Sequence, residues 1–70
     1  MHRTPVTSSN IRSIGYDQPS AVLEVEFTLG DVYQYFDVPD HLYHGLMSAS
    51  SKGQFLNDNI KYGYRYQKVG

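Results

Sequence analysis

The 70 residues contain no cysteine, so disulfides, thiolate nucleophiles and sulfur-ligated metals are excluded. No stretch approaches the roughly 20 apolar residues of a membrane span, and Met1–Val6 holds no apolar core of signal-peptide length. A cytoplasmic location is therefore the expectation. No internal repeat or low-complexity tract is present. A Gly-x-Ser-x-Gly nucleophile elbow and a Walker-type Gly-rich loop are both missing. Lys and Arg are also absent from Ser13 to Ser51, which carries Asp17, Glu24, Glu26, Asp31, Asp37 and Asp40. The basic residues lie toward the ends: Arg3, Arg12, Lys52, Lys61, Arg65 and Lys68. The net charge of −1 conceals this segregation. If the two ends meet, one basic surface results, and such a surface attracts phosphate.

A chain of this length buries only about 60% of its unfolded surface, which leaves room for one thin core and a marginal stability. The whole span, 1–70, reads as one domain, with residues 1–8 a candidate flexible lead-in. Ile11–Tyr16 reads as a short strand. In Val22–Leu29, Leu23, Val25, Phe27 and Leu29 alternate with Glu24, Glu26 and Thr28, which gives a strand with one dry and one wet face. Gly30 supplies the turn, and Val32–Val38 is the return strand. A two-residue loop places Val32, Phe36 and Val38 on the face of Val25 and Phe27. Tyr33 and Tyr35 then share the wet face of Glu24 and Glu26, and only a one-residue slip reverses this.

Pro39 ends the sheet and Asp40 is a candidate N-cap. Leu42, Leu46 and Ala49 recur at helical spacing. Ser51 can cap a second helix that carries Phe55, Leu56 and Ile60, and Gly63 stops it. Tyr64–Val69 alternates again as a last strand. The expectation is an α+β fold: a small antiparallel sheet of three to four strands with two short helices packed on one face.

The combination of Tyr16-Asp17, Leu23–Phe27, Gly30, Tyr33-Gln34-Tyr35 and Val38-Pro39, followed by Ala49, Ser51, Gly53, Phe55, Asn57 and Ile60, resembles the KTSC domain. That family occurs as small bacterial proteins and at the C-terminus of some lysyl-tRNA synthetases. The resemblance implies no established biochemical activity, and the synthetase attachment implies RNA by association.

Two tyrosines on one strand face, Tyr33 and Tyr35, suit stacking of unpaired bases. They equally suit simple cover for a sheet, and the neighbouring Glu24 and Glu26 oppose phosphate. The interleaved Lys61, Tyr62, Tyr64, Arg65, Tyr66 and Lys68 suit backbone neutralisation plus stacking on Tyr64 or Tyr66, or an edge strand with Tyr64 and Tyr66 packed inward and protective charges outside. Lys52, beside Ser51 and Gly53 at a helix start, and Arg12 complete the candidate phosphate contacts. His41 and His44 are three apart but lack a third ligand, so no metal and no cofactor is expected. Asn57 is a candidate partner for the Ser9-Asn10 turn. The expectation is a non-catalytic module for single-stranded or tRNA-like RNA. The alternative is a protein-interaction module using a sheet edge or the Tyr33/Tyr35 face.

Overall fold

The computed structural model describes residues 1–70. Five strands form one antiparallel sheet in chain order: β1 Thr4–Pro5, β2 Ile11–Asp17, β3 Val22–Phe27, β4 Val32–Tyr35 and β5 Tyr66–Lys68. Between β4 and β5 come α1, Asp40–Ser48, and α2, Lys52–Leu56, which runs directly into a π-helical turn, Asn57–Lys61. The fold is α+β with two helices, and its sheet has one strand more than the alternation of the sequence revealed. The additional strand, β1, lies inside the segment read as a flexible lead-in and pairs Thr4 with Ile14.

Each helix begins and ends for a local reason. Pro39 is the N-cap residue of α1, its extended ψ of 149° holding the chain outside the helix, and Asp40 lies in the first turn instead of capping it. Ser51 caps α2 as expected, its Oγ accepting from Gln54 N at 3.3 Å. Lys52 Nζ donates to the carbonyl of Ala49 at 3.0 Å and so closes the C-terminal end of α1. The helices bury Leu46, Leu56 and Ile60 against Ile11, Ile14, Leu23, Val25, Tyr35 and Val38, which together form the core.

The hairpin corrects the expected facing. Phe27 N donates to Asp31 O at 2.8 Å and Gly30 N to Phe27 O at 2.9 Å, so the loop has three residues, Thr28–Gly30. Gly30, at φ +106°, occupies the third position, which completes a three-residue turn. The register is therefore Val25↔Tyr33 and Leu23↔Tyr35, one residue from a two-residue hairpin. Tyr33 and Tyr35 lie on the dry face, and Gln34 faces Glu24 on the other. Tyr35 is 2% exposed and belongs to the core. Leu29 leaves the sheet altogether and is 95% exposed. Val32 and Phe36 have the outward parity. Val38 returns to the core because Asp37, at φ +58°, breaks the strand alternation before it.

The outer face carries a polar network. Arg3 forms an ion pair with Glu24 and donates to Ser13 Oγ at 3.0 Å. Ser13 Oγ donates to Glu26 at 2.8 Å, and Gln34 Nε2 donates to Glu24 at 2.8 Å. Burial of Glu24 would raise its pKa. The hydrogen bonds from Gln34 and Arg3, with the Arg3 charge, outweigh burial and hold the carboxyl below its ordinary value.

Candidate nucleic-acid interface

The helices cover only part of the inner face. Beyond them, at the hairpin end of the sheet, an open pocket of about 380 Å³ remains. The hairpin supplies Phe27, Tyr33 and Tyr35, and β5 supplies Tyr66, which pairs with Tyr35 across the ladder. The π-helical turn brings Lys61 and Tyr62 to the rim. Such turns recur at functional sites because they shift a helix's last side chains out of α-helical phase.

The aromatic rings form one cluster. Tyr33 lies 5.8 Å from Tyr66 and 6.5 Å from Tyr35, centroid to centroid, and Tyr35 lies 6.1 Å from Tyr66. Phe27 meets Tyr33 edge to face at 5.9 Å. Burial, with the nearby Tyr33 and Tyr66 hydroxyls, pushes the Tyr35 phenol up to about 12. Tyr35 is therefore a neutral donor throughout the physiological range. The chain exposes Met1, Leu29, Tyr62, Tyr66 and Val69 as large apolar side chains, and three of these five surround this pocket. Exposed apolar groups gathered at a concavity mark an interaction site, whereas singly scattered ones do not.

The charges do not segregate as the sequence suggests. β1 and β5 are opposite edges of the sheet, four strand spacings or about 19 Å apart. The basic ends fold back onto the acidic middle instead of meeting each other. Arg3 pairs with Glu24, and Arg12 approaches Glu26 at 3.8 Å and donates to Thr28 O at 3.0 Å. Arg65 pairs with Asp37 at 3.3 Å and lies over the Phe36 ring at 5.4 Å. Lys68 lies 3.6 Å from Asp31. Lys61 alone has no carboxylate or carbonyl partner, and its Nζ sits 5.6 Å above the Tyr62 ring.

Of the candidate residues, the fold brings together Tyr33, Tyr35, Tyr66 and Lys61, while Lys68 lies on the same sheet face opposite Tyr33. Arg65 has the opposite strand parity to Tyr66, Lys52 caps α1, and Tyr64 packs against the core. The sequence named Tyr66 for stacking and placed Tyr62 in the basic and aromatic C-terminal segment, but did not unite them with Phe27 and Asn10 in one site. Asn10 meets α2 at Gly53 and not at Asn57, which is exposed. A Cβ on Gly53 would lie 2.5 Å from Asn10 Oδ1. His41 and His44 are exposed, and nowhere do three His, Cys, Asp or Glu side chains gather. No helix is long and apolar enough to cross a membrane.

Comparison with known proteins agrees with this architecture. The KTSC domain family model matches residues 7–69. A crystal structure of a KTSC domain protein from Yersinia pestis superposes with a TM-score of 0.93 at 44% identity, covering 99% of this chain and 97% of that one. An uncharacterized protein of Stutzerimonas stutzeri is 40% identical over 70 residues, 99% of each chain. A lysine–tRNA ligase of Nostoc punctiforme is 38% identical over 61 residues, which are 87% of this chain and 11% of the ligase. By family model, sequence and fold, the chain belongs to the KTSC domain family.

Proposed function

We propose that this chain is a small non-catalytic module that binds single-stranded or tRNA-like RNA at the aromatic pocket. The observation that carries the reading is the gathering of Tyr33, Tyr62 and Tyr66 around one concavity whose rim holds the unpaired Lys61. Aromatic faces offer stacking to any base, and a lysine beside them offers a phosphate contact. The occurrence of a similar domain within a lysine–tRNA ligase supports the same class of partner.

The pairing of the other cations limits the electrostatic share. Lys61 is the unpaired basic residue of the pocket lining, and Lys68 is held by Asp31, so about one phosphate is neutralised. The slope of log K against log salt is then expected to be about −0.7, the value for one single-strand phosphate. Fluorescence anisotropy titrations of labelled single-stranded RNA at several salt concentrations measure it. Lys61→Glu is expected to weaken binding of all sequences alike and to flatten the slope, because phosphate contacts do not read bases. Arg65→Glu removes an equal charge from the opposite face and is expected to have the smaller effect. Equal losses in both variants would move the interface away from the pocket. Failure to bind any RNA at low salt would leave a protein partner as the reading.

A further inference from the structure

We infer that the pocket between the hairpin loop and the π-helical turn receives one unstacked nucleobase, with Asn10 meeting the base edge and Lys61 a flanking phosphate. This rests on the RNA reading above and specifies its mode.

Size comes first. A pocket of about 380 Å³ is at the lower end of the roughly 300–1,000 Å³ of small-molecule sites. It holds one flat ring system and not a run of stacked bases. The rings around it set the orientation. Tyr66 is tilted 44° from Tyr33 and 43° from Tyr35, while Tyr33 and Tyr35 are within 23° of each other. The contiguous rings of β4 and β5 thus form the aromatic side of the pocket, with Tyr66 as its exposed wall.

Charge then selects the guest. Aromatic cages also bind ammonium groups. Here Lys61 already occupies the Tyr62 face, and Lys68 neutralises Asp31, the acid of the lining. A cationic guest would meet the unpaired Lys61, whereas a base attached to a phosphate meets complementary charge. The polar end of the pocket distinguishes a base from an apolar side chain. Ser8 Oγ donates to Asn10 Oδ1 at 3.2 Å, which leaves the Asn10 Nδ2 hydrogens for an acceptor on the guest. The close approach to Gly53 holds this amide in place. Base edges carry such acceptors, and single-stranded recognition combines them with stacking.

The test compares a labelled ten-nucleotide single-stranded RNA with a ribose–phosphate strand of equal length that lacks bases, by anisotropy at low salt. The wild type is expected to bind the RNA roughly 5- to 150-fold more tightly than the abasic strand, the range of one stacked base. Tyr66→Ala is expected to remove most of that difference, and Tyr66→Leu, which keeps apolar cover, to remove it as well. Tyr66 is 60% exposed, so both variants should fold. Lys61→Glu should weaken both strands and leave their ratio unchanged. Equal wild-type affinity for the two strands, or an unchanged ratio in the Tyr66 variants, overturns base insertion and leaves RNA binding through phosphates standing. Absence of binding to either strand overturns both the insertion and the RNA reading.

Discussion

Tyr35→Ala is expected to lower the melting temperature by roughly 12–40 °C, at about 4–8 °C per kcal/mol for a domain of this size. Tyr35 joins β4 to the core with 2% of its surface exposed, against Leu23 across the sheet. Deleting a buried aromatic ring costs about 3–5 kcal/mol in lost burial and cavity. A 70-residue domain has roughly 3.5–10 kcal/mol in total, at 0.05–0.15 per residue, so the loss is about a third of the stability or more. Tyr35→Phe keeps the ring and should melt close to the wild type. Circular dichroism melts of the two variants check this. A Tyr35→Ala transition within a degree or two of the wild type would show that the ring does not close the core.

The second large effect is expected at Glu24→Ala, with a loss of about 2–3 kcal/mol. The substitution strands the Arg3 guanidinium and the Gln34 amide, which both donate to this carboxylate. Breaking a fully buried pair costs about 3–5 kcal/mol. The Arg3 side chain is 29% exposed, so water recovers part of its charge and the figure is lower here. The same network gives a pH dependence. Because the folded carboxyl has a pKa below its unfolded value of about 4.3, its contribution is fully present above that value. It is lost as pH falls through the folded pKa. Urea midpoints measured from pH 6 downward should fall more steeply in the wild type than in Glu24→Gln. Parallel curves would remove Glu24 from the acid response.

The sequence made the α+β class, β2, β3, the Ser51 cap and the two helices legible, because each rests on a local pattern. Alternation marks Leu23–Phe27, and the 3.6-residue period marks Leu42 and Leu46. The facing of Tyr33 and Tyr35 was not legible. Thr28-Leu29-Gly30 can host a two- or a three-residue loop, and that single residue reverses every side chain of β4. Nor could the charge arrangement be read. Arg3 meets Glu24 across 21 positions and Arg65 meets Asp37 across 28, so their pairing follows from sheet topology and not from local spacing. β1 escaped notice because two residues carry no period, and pairing with β2 defines it. The aromatic pocket unites hairpin, π-helical turn and β5. Its tyrosines were visible one by one, and their convergence was not.

The strand order follows the chain order, which has a consequence for how the domain assembles and opens. β1 to β4 can zip by successive short-range closures, and low contact order of this kind speeds folding. β5 is different, because both helices must be placed before Tyr66–Lys68 can reach β4. It is a three-residue edge with every residue exposed, so it is expected to dock late and to open before the central strands. Tyr66 and Lys68 travel with it. The wall of the pocket is thus expected to open locally while its floor, Tyr35, belongs to the core, and a guest resting on both would be felt as slowed opening of the C-terminal strand.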